Sequence, residues 1–188
     1  MSSVSDTAPP GEAAATQGHA ELFATLYEEL RQIAAREVRR GAGLTLSATT
    51  LLHETYFKMQ ERDNVAFPDE ARFLAYAARA MRTLVIDYAR NRQAQKRGAA
   101  FEITSLPTEL PEQAVELTEL ENMSAAIDTL ANIDPSLAQL VDLKFFCGYS
   151  LIEIASMRGV SERTAQRDWE KARVLLKRAL ENRDLLAD

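Results

Sequence analysis

The sequence predicts an all-α protein with two small helical domains joined by an acidic linker, the second domain carrying a helix-turn-helix. Three observations predict it. Apolar residues recur at helical rather than alternating spacing along nearly the whole chain. Two blocks rich in Arg and Lys flank a stretch of glutamates, and a short and a long helical pattern meet at a glycine turn near the C-terminus. A length of 188 residues holds one ordinary domain or two small ones. The divisions expected are a tail at 1–18, a first domain at 19–100, the linker at 101–121 and a second domain at 122–188.

Met1 to Gly18 is rich in Ser, Thr, Ala, Pro and Gly, without the basic cluster and apolar run of a signal peptide, so a disordered tail is expected. Leu22, Leu26, Leu30 and Ile33, flanked by Phe23 and Tyr27, form the stripe of a first helix from about Ala20 to Arg39, ended by Gly41 and Gly43. The hydroxyls between Ser47 and Thr50 suit the start of a second helix, which runs through Leu51, Leu52, Tyr56 and Met59. Asp63, Asn64 and Pro68 mark a loop. In a third helix, from about Asp69 to Arg92, Leu74, Ala77, Met81, Leu84, Val85 and Tyr88 share one side, and Arg72, Arg79, Thr83 and Arg90 the opposite one. A charged face on a core helix is ordinarily a solvated one. Here it is almost purely basic and lacks the acid partners at i,i+4 of a solubilising face, which points to nucleic acid.

Pro107 and Pro111 keep the linker extended until helix resumes around Glu116 and runs to about Ala131. Asp134 then caps a helix with Pro135 in its first turn, burying Leu137, Leu140, Val141 and Phe145 and stopping at Gly148. Ser150 caps a short helix containing Leu151, Ile154 and Ala155, Gly159 and Val160 turn the chain, and Ser161 caps a longer helix with Glu162 in its positive first turn. On that helix Ala165, Trp169, Ala172, Leu176 and Ala179 form the apolar stripe, so Trp169 is core rather than a base-stacking residue. Arg163 and Arg167 stand opposite, flanked by Gln166 and Lys171, and such side chains read guanine and adenine edges in the major groove.

A formal charge of −6 argues against a nucleic-acid binder until its distribution is seen. Between Ala71 and Ala100 lie Arg72, Arg79, Arg82, Arg90, Arg92, Lys96 and Arg97 against the single acid Asp87, and Arg158 to Arg183 is a second basic block. Between them Glu102, Glu109, Glu112, Glu116, Glu119 and Glu121 meet no Lys or Arg. Local fields, not net charge, decide where DNA settles. Cys147, the one cysteine, has no disulfide partner and reads as a small buried apolar residue of a cytoplasmic protein. No apolar run is long enough for a membrane. His53-Glu54 is followed by Phe57 where a zinc helix needs His, and no phosphate-cradling loop, metal cluster or activated nucleophile is visible. The chain is therefore expected not to be an enzyme and to need no cofactor or metal.

From about Glu21 to Leu180 the chain resembles a bacterial sigma factor of the extracytoplasmic-function (ECF) group. Phe73-Leu74-Ala75-Tyr76-Ala77-Ala78-Arg79-Ala80-Met81-Arg82, continuing into Ile86-Asp87-Tyr88-Ala89-Arg90, resembles the helix that melts and reads the −10 element. Leu143-Lys144-Phe145-Phe146, Ser150 to Ala155 and Val160 to Thr164 resemble the domain that reads the −35 element. The resemblance implies sigma domain 2 at 19–100 and sigma domain 4 at 122–188, an RNA polymerase core (its β′ and β subunits) and promoter DNA as partners, and no membrane. It assigns Arg79, Arg82, Thr83, Asp87, Arg90 and Arg92 to the −10 element and Arg163, Thr164, Gln166, Arg167 and Lys171 to the −35 element. Leu51, Leu52, Glu54 and Tyr56 are assigned to core binding. An acidic linker suits the basic nucleic-acid channel that this segment threads in the family.

One departure stands out. Most relatives carry Asp and Glu just before the Leu51-Leu52-His53-Glu54 stretch, whereas this chain has Ser47, Ala48, Thr49 and Thr50. Loss of three exposed ion pairs weakens core binding by roughly 1–3 kcal/mol, about ten- to a hundredfold. The run from Thr45 to Glu54 resembles a subgroup associated with Ser/Thr kinases, so phosphorylation of Thr49, Thr50 or Ser47 is expected to restore the charge, with such a kinase as a further partner. An anti-sigma factor is the alternative control. The competing overall reading is a helix-turn-helix regulator whose N-terminal helical domain senses a signal or dimerises.

Overall fold

A computed structural model describes residues 20–41, 46–61, 67–99 and 112–184. The tail at 1–18, Gly43, Asp63, Asn64 and most of the linker lie outside the described residues. The described chain is helical without strands, as the all-α class requires: α1 (20–25), α2 (Tyr27–Arg40), α3 (Ala48–Gln60), α4 (Glu70–Ala99), α5 (Glu112–Ile133), α6 (Pro135–Val141), a π-helical segment (Asp142–Cys147), α7 (Leu151–Arg158) and α8 (Glu162–Asp184). The first helix differs from expectation by a one-residue unwinding at Leu26, whose N–H still bonds Leu22 and whose carbonyl still accepts from Leu30.

The long helix α4 organises the molecule. One stripe, Leu74, Ala77, Met81 and Val85, packs against α2 and α3, where Leu30, Ile33, Leu51 and Leu52 are fully buried. Each such leucine contributes about 2 kcal/mol through burial. A second stripe, Ala75, Ala78, Arg82 and Ile86, is buried as well, because the π segment lies across it. Ala75 and Ala78 keep that side of α4 low enough for close approach. Buried side chains from both halves thus form one continuous core. Of the expected linker, residues 112–121 belong to α5, which starts four residues before the expected Glu116.

The C-terminal half follows its sequence cues closely. Asp134 caps α6 by accepting from the Ser136 and Leu137 amides at 3.1 and 3.2 Å, with Pro135 in the first turn. Ser150 and Glu153 form a reciprocal capping box on α7. One expectation fails: Phe145 is 46% exposed and Phe146 is the buried ring. The cause is the change from α to π winding at Asp142, which widens the turn and shifts the inward register. Gly148 ends the segment at φ +81°, and a Cβ there would meet the Arg36 guanidinium at 2.9 Å. Arg36 lies there because it donates to the Cys147 carbonyl, tying α2 to the end of the π segment.

Candidate nucleic-acid and polymerase interfaces

Gly159, left-handed at φ +63°, turns the chain from α7 into α8, and the Ser161 hydroxyl accepts from the Thr164 amide at 3.2 Å. α7 packs on α8. On α8, Ala165, Ala172 and Leu176 are buried, Trp169 is partly buried against the same core, and Arg163, Gln166, Arg167 and Lys171 are exposed. The amphipathic split read from the sequence therefore holds. Thr164 is half-buried, its hydroxyl shared with Ser161 at 2.9 Å. Gln166 donates to Glu162 at 3.2 Å, Lys171 reaches Asp134 at 3.3 Å, and Arg167 lies 4.0 Å from Asp168. These contacts are exposed and weak, so the face can exchange them for phosphates and base edges.

The basic face of α4 is in a different condition. Arg79 Nη2 lies 2.8 Å from Asp128 Oδ1, a charge contact without hydrogen-bond alignment, since that oxygen has no hydrogen-bond partner. Arg90 Nε lies 2.5 Å from Glu121. Arg82 is wholly buried, donating to Asp142 at 2.8 Å and Ser124 at 3.2 Å, with the Phe146 ring 4.2 Å from its guanidinium carbon. Expected on an open DNA track, Arg82 is thus out of reach of DNA here, because it falls on the second buried stripe of α4. Thr83 is exposed and back-bonds to the Arg79 carbonyl at 3.0 Å. Asp87 is exposed, 3.9 Å from Lys58, and Arg92 is half-buried.

The hydroxyl cluster at the start of α3 divides into caps and one free group. Ser47 accepts from the Thr50 amide at 3.0 Å, and the two hydroxyls share a further bond of 2.8 Å. Thr49 is exposed, and its hydroxyl has no hydrogen-bond partner among the described residues. The first turn of α3 holds no acid. Leu51 and Leu52, expected to touch the polymerase, are fully buried and can only hold α3 in place. Tyr56 is partly buried, edge-on to Phe23 at 4.8 Å, while Glu54 is exposed. Sequence reasoning missed Phe57, 63% exposed beside His53, Glu54 and Glu61 in a shallow groove. Its signal was legible: Phe57 lies opposite the Leu51, Tyr56 and Met59 stripe of α3 at 100° per residue.

Burial pushes the Cys147 thiol far up and leaves it unreactive. Among the described residues no group of His, Cys, Asp or Glu is arranged to hold a metal ion, and no helix is long and apolar enough to cross a membrane. The family model for ECF sigma factors matches residues 3–182. The chain belongs to the ECF sigma factor family. No curated protein matched it. As an ECF sigma factor it is a regulatory rather than catalytic protein, an alternative sigma factor acting in transcription initiation with RNA polymerase core and promoter DNA as partners.

Proposed function

We propose that this sigma factor grips the promoter at two places, with α8 reading the −35 element through Arg163, Thr164, Gln166, Arg167 and Lys171, and α4 reading the melted −10 element. The working units are residues 19–100 and 122–188. The observation that carries this is the α8 face, where exposed Arg, Gln and Lys stand opposite a buried Ala165, Ala172 and Leu176 stripe, just after a capped turn. On α4, Arg79, Thr83 and Arg90 supply phosphate and base contacts to single-stranded DNA, with Arg82 joining them when the covering half moves away. Transcription with purified core polymerase on a promoter library tests the reading. The wild type is expected to create new start sites, and Arg167→Glu to lower their use by about five- to a hundredfold, since a bidentate base contact is worth about 1–3 kcal/mol. Start sites used equally by Arg167→Glu would refute it, and a conventional regulator would give none at all.

Core affinity is set at the start of α3, and phosphorylation of Thr49 by a Ser/Thr kinase raises it. Ser47 and Thr50 are committed to the cap, whereas Thr49 offers an exposed hydroxyl in the first turn, where an anion is favoured by the helix dipole. A phosphate there adds about −1.5 to −2 charge to a turn that has no acid. Exposed Glu54 and Phe57 complete the docking face. Thr49→Glu is expected to bind core polymerase about tenfold more tightly than unphosphorylated wild type, a gain of about 1.4 kcal/mol, and Thr49→Ala to match the wild type. Equal affinities for all three in a titration against labelled core would remove the switch.

A further inference from the structure

We infer that Arg158 on α7 is a positioning residue for promoter reading: it holds the carboxylate of Asp168, and so leaves the neighbouring Arg167 free for a base edge. The inference rests on the −35 reading of α8 given above.

Arg158 is the last residue of α7 and Asp168 lies in the second turn of α8, so their contact spans the Gly159 turn. One Asp168 oxygen lies 3.6 Å from Arg158 Nη2 and the other 4.0 Å from Arg167 Nη2. Both distances exceed hydrogen-bond length, so the carboxylate stands between two guanidiniums and is committed to neither. Exposure decides which of them keeps it. The Arg158 and Asp168 side chains are only 13% and 20% exposed, so water screens their attraction little. Arg167 is 78% exposed, its attraction is screened, and its long side chain loses entropy when held. Arg158 therefore keeps the carboxylate, and Arg167 leaves it for the groove at little cost.

Arg158 is itself fixed. Its Nη2 donates to the Ser136 hydroxyl at 2.5 Å, which anchors it on the first turn of α6. Its Nη1 is buried and has no hydrogen-bond partner. A buried donor without a partner costs free energy, and this one is available to Asp168 once DNA draws Arg167 away. Base contact at Arg167 and a closer Arg158–Asp168 pair thus favour one another. Lys171, on the flank of the same face, is held in a similar way: it meets one oxygen of Asp134, whose other oxygen caps α6. The reading face is thereby referred back to a single turn of α6 at two points.

Without Arg158, both Asp168 oxygens are left to Arg167, and an arginine paired with a carboxylate of its own chain cannot make a bidentate contact with guanine. The loss must then fall on the bases that Arg167 reads. The test is transcription by core polymerase saturated with each full-length variant, on a promoter library randomised across the −35 element. Arg167→Ala first marks the positions whose base preference depends on that side chain. Arg158→Met, which keeps most of the bulk and removes the charge, is expected to flatten preference about fivefold at those positions and to leave the others unchanged. Adding Asp168→Asn to Arg158→Met removes the competing charge and is expected to restore preference to within about twofold of wild type. Preference that Arg158→Met leaves intact, flattens evenly at every position, or flattens without restoration by Asp168→Asn overturns the inference. In each of those cases Arg167→Ala still loses its own positions, so the promoter-reading role of α8 stands. Arg167→Ala with every preference intact removes that role and the inference together.

Discussion

Replacing Asp142 with alanine is expected to destabilise the chain by about 3–5 kcal/mol, because it removes the carboxylate paired with the buried Arg82. Arg82 is fully buried, and its Nη2 already lacks a hydrogen-bond partner. Ser124 at 3.2 Å and the Phe146 ring at 4.2 Å would then be its remaining close contacts, with the carboxyl of Glu37, itself bonded to Arg40, acting on the cation only at longer range. Neither close contact supplies negative charge. The pair itself is a different matter from its broken half. Two ions taken out of water recover their lost hydration only partly through a 2.8 Å contact, so Arg82→Met combined with Asp142→Leu is expected to be near neutral or stabilising. Urea unfolding of both single variants and the double variant checks this. The two singles should each lie far below wild type and the double close to it. A double variant as unstable as the singles would mean that packing, not charge, sets the cost.

That pair also marks the limit of what the sequence discloses. The apolar stripes, apart from Tyr88, which is exposed on α4, the caps at Ser47, Asp134 and Ser150, the Gly148 and Gly159 turns and the exposed face of α8 are local features, decided within a few residues, and they were legible. The second buried stripe of α4 was not, because a helix sequence shows which faces are apolar but not whether a charged face will find a partner sixty residues away. Two hints were present. Ala75 and Ala78 are small residues on the side that holds Arg82, and Asp142 is the one acid between Leu137 and Cys147, set directly between Val141 and Leu143. An acid inside a core-forming run calls for a cation, and Arg82 is the one that answers. The exchange of Phe145 for Phe146 was hidden for another reason: α and π winding share their first turn, and nothing at Asp142 announces the change.

Stability is also expected to fall as pH rises from about 4.5 to 7, through a group buried beside Arg82 and Asp142. Glu37 on α2 is fully buried, and burial pushes its carboxyl up to about 7. Arg40 at 2.8 Å on its own helix and Arg82 on α4 oppose that shift, Asp142 on the π segment adds to it, and the second carboxyl oxygen of Glu37 has no partner. Burial likewise pushes Asp142 upward against the pull of Arg82. Because the folded chain holds the Glu37 proton more tightly than the unfolded chain, whose carboxyl titrates near 4.5, the folded state binds more protons between those values. The slope of stability with pH is then negative. The contribution is fully present below the unfolded value and is lost as pH passes the folded one, a change of roughly 3–4 kcal/mol at about 1.4 kcal/mol per unit. Exposed carboxylates shifted the other way, such as Glu28 and Glu153, act on the acid side of this window. The difference between Glu37→Gln and wild type isolates it: denaturant unfolding from pH 4.5 to 8 should show the variant gaining steadily on the wild type, whereas a difference independent of pH would place the Glu37 proton outside the folding balance. Since Glu37 lies among Arg40, Arg82 and Asp142, its ionisation puts an under-compensated charge into the same seam that holds the two halves together.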